Sequence, residues 1–357
     1  MTTTLSVKVP GRICFFGDHQ DYLGLPVIAA TIDRYIYMNA TPQDVNALEI
    51  ALLDLGKTTT ILLDESLTNL APRDYFRSAM RVLAKAGIRV TKGYRVEIHG
   101  DIPVEAGLSS SSAVVVAWIR LLLKMGAPNQ FFSDEQIAAW SYQAEVIEFN
   151  EPGGLMDQYT IALGGLVYIN TVTGKYQRLK APWESVIIGD SGLEKSTLTV
   201  LANAKDYALE ALAIVREHEP SFALEKATAK EYDSTVGFLP KHLQAYWYAA
   251  IHNHLITKKA LALLDSPEVD MTVFSELMNA HQRILQHQIG NTPDAMVNMM
   301  EAAHDLGATA TKIVGSGGGG CFVALAPKKY ENQLVKGLAK TNLKQAFAVQ
   351  ITSFQNV

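Results

Sequence analysis

The chain has 357 residues, 48% hydrophobic and 19% charged, with a net charge of −5. That length accommodates one large or two ordinary domains around a sizeable core, and two are expected. The acidic balance gives no general attraction for nucleic acid or an anionic membrane, so an anionic substrate would need a local basic pocket. Cys14 and Cys321 are too few for a disulfide framework and no Cys/His metal spacing is present, which predicts a reducing cytoplasm. The start, Met-Thr-Thr-Thr-Leu-Ser-Val-Lys, lacks the apolar core of a signal peptide, and the apolar run Ala113 to Leu123 is interrupted by Arg120 and followed by Lys124. A cytosolic globular protein is expected.

In chain order, residues 5–17 carry β-type patterning: Leu5 to Val9, then Pro10-Gly11, then the apolar strand Ile13-Cys-Phe-Phe16 ending at Gly17. A polar cluster, Asp18-His19-Gln20-Asp21-Tyr22, is closed by Leu23-Gly24. Val27 to Ala30 is expected to form a short helical turn and Ile32 to Ala40 a strand. Ala47 to Leu53 and Thr59 to Leu63 form a hairpin around Leu55-Gly56-Lys57. Tyr75 to Ala86 has helical periodicity and stops at Gly87. Tyr94 to Gly100 is a strand running into Pro103-Val-Glu-Ala-Gly107-Leu108-Ser109-Ser110-Ser111-Ser112-Ala113. Ala113 to Met125, apolar nearly all round, reads as a buried helix stopped by Gly126. Ser133-Asp-Glu-Gln136 is a capping box opening a helix to about Phe149. Pro152-Gly-Gly154 breaks it, Leu155 to Leu163 continues as a short helix, and Gly165 to Asn170 is a strand. A domain boundary is placed near 182, giving units of 1–182 and 183–357. In the second unit a strand at Val186 to Gly189 precedes a largely helical stretch over 196–306. Strands at Ala310 to Gly315 and Cys321 to Ala326 flank a glycine loop, and a helix (Tyr330 to Leu338) and a strand (Phe347 to Thr352) finish the chain.

Four stretches carry chemistry. The serine loop lies between a strand and a helix start, where free amides and the helix dipole favour an anion. Gly107 permits close backbone approach, and Ser109 to Ser112 supply hydroxyls for phosphate oxygens or a metal ion. The plainer alternative is a serine N-cap after an ordinary loop. No Gly-Lys-Ser/Thr follows, so this is not the Walker pattern. The cluster at 18–22 offers two carboxylates, an imidazole and a phenol directly after a buried strand, a set suited to a polyhydroxylated ligand; an Asx-type turn with solvated charges is the alternative. Glu145 and Asp157 stand twelve residues apart across the Pro152-Gly-Gly154 break, so they can converge without sharing a helix face; a helix N-cap at Asp157 and a surface charge at Glu145 are the alternative. The glycine loop Gly315-Ser316-Gly317-Gly318-Gly319-Gly320 has five glycines in six positions, which makes sense where backbone must come very near a ligand; a linker or a bulge is the bland reading.

The order Pro-x-x-x-Gly-Leu-x-Ser-Ser at 103–111 resembles the phosphate loop of the GHMP kinases, named for galactokinase, homoserine kinase, mevalonate kinase and phosphomevalonate kinase. The blocks at 10–24 and 312–321 match the same family in the same order, so the resemblance spans about 8–325. It implies a two-domain α+β fold with ATP in the cleft between the domains, and transfer of the γ-phosphoryl group of MgATP to a small-molecule hydroxyl. Gly11-Arg12 to Gly24 is similar to the galactokinase signature, which implies that Asp18, His19, Asp21 and Tyr22 meet a sugar. Here Asp18 stands for the family's Glu and Cys14 for its usual Asn. Gly154-Leu-Met-Asp157-Gln158 is close to the galactokinase form Gly-Ile-Met-Asp-Gln. The resemblance thus implies Asp157 as base with Arg12 beside it, Glu145 and Ser111 as Mg²⁺ partners, and Gly154 at the substrate. It puts Gly107, Leu108, Ser109, Ser110, Ser111 and Ser112 on ATP, with Gly317 and Gly318 closing over phosphates and substrate.

The all-glycine loop is more like mevalonate kinase, as is the Lys195-Ser196-Thr197 segment, though an N-cap at Ser196 explains the latter equally well. The implied reaction is phosphorylation of an anomeric sugar hydroxyl, as in galactokinase. A mevalonate kinase-type enzyme, or a non-catalytic sensor of ATP and sugar, is the alternative. The histidines at 252, 254, 281 and 287 are expected to be polar positions on long helices.

Overall fold

The computed structural model describes residues 4–104, 106–194 and 197–352. Its first sheet holds β1 (Leu5–Phe16), β2 (Val27–Gln43), β3 (Ala47–Leu52), β4 (Lys57–Leu62), β5 (Gly93–Gly100), β6 (Leu166–Ile169) and β7 (Tyr176–Leu179). The strand order is β4-β3-β5-β2-β6-β7, with β1 on the other side of β2. The second, fully antiparallel sheet takes β8 (Ser185–Asp190), β9 (Ala310–Ile313), β10 (Cys321–Ala326) and β11 (Gln345–Val349) in the order β11-β8-β10-β9.

Helices α1 (Tyr75–Lys85), α2 (Ser110–Gly126), α3 (Asp134–Glu145) and α4 (Met156–Leu163) accompany the first sheet. The segment between β8 and β9 carries α5 (Thr197–His218), α6 (Ala229–Thr235), α7 (Lys241–Leu264), α8 (Met271–Ile284) and α9 (Asp294–Asp305), and α10 (Glu331–Leu338) precedes β11. α2 buries Ala113, Val115 to Ile119 and Leu121 to Leu123, because its sequence is apolar on nearly every face. α3 opens on the expected capping box, Ser133 accepting from the Gln136 amide and Gln136 accepting in return from the Ser133 amide.

One local expectation is corrected. Residues 27–30 form the start of β2, not a helical turn: they pair with β1 on one side and β6 on the other, and two neighbouring strands outweigh the helix preference of Ala29-Ala30. β1 runs through Pro10-Gly11 with a register shift between the two residues, a bulge absorbing the missing Pro N–H.

The two sheets share one apolar core. Val186, Ile188, Phe274 and Val323 pack in the same cluster as Ile13, Phe15 and Trp118. Trp183 lies 4.3 Å from Phe15 and 5.5 Å from Phe274 between ring centroids, and Phe274 stands edge-on to Phe16 at 5.4 Å. These aromatics hold the end of β1, and the turn that follows it, against the second half of the chain.

Candidate active site

The turn after β1, the start of α2 and the start of α4 meet around a cavity of about 850 Å³. Its walls take Arg12, Asp18, His19 and Asp21 from the N-terminal block, Gly107 and Ser109 to Ser112 from the serine loop, and Glu145, Gly154, Asp157 and Gln158 from the α3–α4 region; Gly315 and Ser316 close it from the glycine loop. Four stretches far apart in sequence are thus lining one space.

Asp157, in the first turn of α4, is gripped by Arg12 in a bidentate pair: Nε donates to Oδ1 at 2.7 Å and Nη2 to Oδ2 at 2.8 Å. The third guanidinium contact, Nη1 to the Gly107 carbonyl at 2.6 Å, ties the same arginine to the serine loop. Such a fork fixes the carboxylate plane as well as its position. The Ser109 hydroxyl also donates to Asp157 Oδ2. Ser109 therefore does not cap α2; it sits in the left-handed region at φ 57 and makes no side-chain cap bond. A simple N-cap is excluded, and a non-glycine residue held there signals a constrained loop.

Glu145, at the last turn of α3, is buried and accepts from Gln158 Nε2 at 2.7 Å, and the neighbouring Ser112 and Ser111 hydroxyls favour its charged form. Burial pushes its carboxyl up to about 7, against which a nearby cation would hold it ionised. Gln158 Oε1 is buried with no hydrogen-bond partner among the described residues. One carboxylate, serine hydroxyls and a spare amide oxygen are hard oxygen donors, the set Mg²⁺ takes when phosphate oxygens complete its shell.

At the other end, Asp21 Oδ1 accepts from the Tyr22 amide at 2.9 Å and Oδ2 from the Met156 amide at 3.5 Å. Burial, and then the charge of Asp157, push its carboxyl up to about 6. His19 Nε2 lies 3.0 Å from the Ser316 carbonyl and 3.1 Å from Asn291 Nδ2, while Nδ1 lies 3.2 Å from the Tyr22 hydroxyl. Asp18 Oδ2 is paired with the fully buried Lys312, and its Oδ1 is buried without a hydrogen-bond partner among the described residues.

Some of the expected residues do not face the cavity. Leu108 is in the core, its carbonyl accepting from the Arg12 amide at 3.1 Å. Tyr22 stands behind His19. Gly317 and Gly318 pack on Asn291: a Cβ on Gly317 would fall 2.4 Å from the Asn291 carbonyl, to which the Gly318 amide donates at 2.7 Å. It is Gly315 and Ser316 that reach the cavity. Lys195 and Ser196 lie outside the described residues. Of the histidines, His252 and His254 bond backbone carbonyls of α7 and residue 225, and His281 is buried with its Nε2 3.3 Å from the Gly17 amide.

Sequence reasoning overlooked Lys312, Asn291 and the side chain of Gln158. Only Lys312 carried a usable signal, a lysine inside the otherwise apolar or small strand Ala-Thr-Lys-Ile-Val. Arg73, also on the cavity wall and at φ 61, is paired with Glu151 at 2.8 Å.

Three family descriptions match the chain: "GHMP kinases N terminal domain" over residues 74–165, "GHMP kinases C terminal" over 261–343, and "Galactokinase galactose-binding signature" over 2–42. A mevalonate kinase of Thermococcus onnurineus is 27% identical over 90% of this chain and 89% of its own length. A galactokinase of Exiguobacterium sibiricum is also 27% identical, over 88% of this chain and 83% of its own. Among solved structures, Lactococcus lactis galactokinase complexed with galactose superposes with a TM-score of 0.85 at 21% identity, covering 98% of this chain and 94% of that one. Among the described residues no helix is long and apolar enough to cross a membrane.

Proposed function

The chain belongs to the GHMP kinases, ATP-dependent phosphotransferases that act on hydroxyl groups, and from that premise we propose that it phosphorylates the anomeric hydroxyl of a monosaccharide, galactose or a close relative, to the sugar 1-phosphate. The observation that carries this reading is the Asp157 carboxylate, clamped by Arg12 and facing a cavity that has the serine loop on one side and Asp18, His19 and Asp21 on the other. The nucleotide phosphates belong at the α2 N-terminus, where first-turn amides lack intrahelical partners and the serine hydroxyls converge. Glu145, Ser111 and Gln158 are suited to hold Mg²⁺, which would supply charge neutralisation on the phosphates. Asp157 accepts the hydrogen bond of the attacking hydroxyl, and Arg12 offsets charge developing on the phosphoryl group.

Sugar is favoured over mevalonate by the charge of the acceptor end. Asp18, Asp21 and Asp157 present carboxylate to it, and the arginines on the cavity wall, Arg12 and Arg73, are each already paired with a carboxylate. Carboxylates accept from sugar hydroxyls at little cost, whereas an anionic acid such as mevalonate would meet like charge and need an unengaged cation. The galactose-binding signature over residues 2–42 supports the same choice.

Mevalonate is kept as the second reading because the mevalonate kinase and galactokinase relatives are equally identical. The test is ADP release by the purified protein with MgATP and a panel of free sugars beside mevalonate. Turnover of a sugar, absent with mevalonate, supports the proposal. Turnover of mevalonate alone overturns it, and no turnover with any acceptor leaves a sensor of ATP and sugar.

A further inference from the structure

We propose that Lys312 is a positioning residue for the phosphoryl acceptor, acting through Asp18: it fixes that carboxylate at the acceptor end of the cavity with Oδ2 engaged and Oδ1 left to receive a hydroxyl. This rests on the reading of residues 18–22 as the acceptor site.

Lys312 lies in β9, and its side chain is 0% exposed. Burying an ammonium is expensive unless it is paired and hydrogen-bonded. Here it is both, to Asp18 Oδ2 and to the Ile313 carbonyl at 2.9 Å. A buried pair of this kind is weak evidence of a stabilising role, because well-packed apolar residues usually do as well. What apolar residues cannot do is present an aimed carboxylate oxygen. Asp18 lines the cavity, and among the described residues its buried Oδ1 has no hydrogen-bond partner, the nearby Cys14 thiol donating instead to the Phe16 carbonyl.

The titratable groups around Asp18 leave this task to Lys312. From β1 come Cys14 and Arg12, and from the second half of the chain Lys312 and His281, with His19 next to His281. Burial pushes Cys14 well up, so it remains a thiol. Burial and Lys312 push His281 down to about 3, so it remains neutral. Arg12 is committed to Asp157. Burial opposes ionisation of Asp18, and Lys312 reverses it, leaving the carboxyl below its ordinary value. Without Lys312 the largest effect lowering the carboxyl is gone, and burial favours its protonated form, which turns the group from acceptor into donor.

The experiment uses the full-length protein and the acceptor found in the ADP-release panel, so a failure of the functional reading appears in the wild type before any variant is made. For Lys312→Met at pH 7 the acceptor KM should rise roughly 10–100-fold, the loss expected when a charged hydrogen bond is removed, with the ATP KM within about twofold of wild type. The ratio of variant to wild-type acceptor KM should fall as pH is raised from about 6 to about 9, as Asp18 ionises. Asp21 and Glu145 titrate in both proteins and cancel in the ratio. The doubly neutral Asp18→Asn/Lys312→Met protein should keep the raised acceptor KM but lose the slope of the ratio.

A Lys312→Met protein with a lowered Tm but wild-type acceptor KM and a flat ratio would reduce Lys312 to a structural charge and overturn the proposal. So would a double variant whose acceptor KM returns to wild type. If Lys312→Met does not fold, the double variant decides alone: a raised acceptor KM with unchanged ATP KM supports the proposal, and a wild-type acceptor KM overturns it.

Discussion

The carboxylate of Asp21 occupies the space that any side chain on Gly154 would need: a Cβ there would fall 2.2 Å from both Cγ and Oδ2. Gly154 thus shapes the acceptor end by its lack of a side chain, letting the turn after β1 press against the start of α4. Gly154→Ala should push Asp21 out of line, because a contact of that length cannot be absorbed without moving the carboxylate. The expected result is a rise of roughly 10–100-fold in acceptor KM, with ATP KM nearly unchanged. Equal loss for both ligands would mean that residue 154 serves the whole cavity.

A second expectation concerns the cation. Glu145 titrates near 7 because it is buried, and only its ionised form is a good Mg²⁺ partner. The Mg²⁺ requirement of the wild type should therefore tighten as pH rises from about 6 to about 8. Glu145→Gln should require roughly tenfold more Mg²⁺ or worse and should lose that pH dependence. An Mg²⁺ titration indistinguishable from wild type, in a protein with unchanged circular dichroism, would free Glu145 from the metal.

The same two carboxyls set a stability trend in the ligand-free protein. Asp21 is raised from 3.8 to about 6 and Glu145 from 4.5 to about 7. A folded-state value above the unfolded one means that the folded protein binds more protons between the two. The contribution is therefore fully present below about pH 4 and is lost as pH rises to about 7. In that window Asp21→Asn/Glu145→Gln should show a flatter Tm against pH than wild type. A parallel pair of curves in differential scanning would contradict the burial argument.

Much of this site was legible because its chemistry sits in contiguous blocks. The serine loop, the 18–22 cluster and Asp157 each stand out locally, and five glycines in six positions between two strands point to a close-approach loop more than to a linker or a bulge. The capping box at Ser133 was equally readable, since it needs just four residues. What stayed hidden depends on partners far away. β7 is an edge strand, Tyr-Gln-Arg-Leu, with two exposed residues and no alternation to read. The roles of Lys312 and Asn291 emerge only when β9 and the segment before α9 are laid against the turn after β1. A serine cap stayed open as the alternative for the serine loop because serines before helices often cap; the bond from Ser109 to Asp157, 48 residues away, is a tertiary fact.

Asp157 is where the proposed chemistry converges. An anomeric hydroxyl is more acidic than an ordinary alcohol but still largely protonated at neutral pH, so losing the proton as the new P–O bond forms should help. Phosphoryl transfer leans mainly on positioning and electrostatics, and a strong base is not required. The geometry serves both needs. The Arg12 fork fixes the carboxylate plane, Ser109 ties it to the serine loop, and the side chain, 27% exposed, keeps a face on the cavity. Asp157→Asn retains the shape but forfeits the proton acceptor and half of the ion pair. kcat should fall by roughly 10²–10⁴. Acceptor and MgATP should still bind, as measured by calorimetry, because the 18–22 cluster and the Glu145 side of the serine loop are untouched. An Asp157→Asn protein that keeps most of its kcat would take Asp157 out of catalysis and leave it as the counter-ion of a buried arginine.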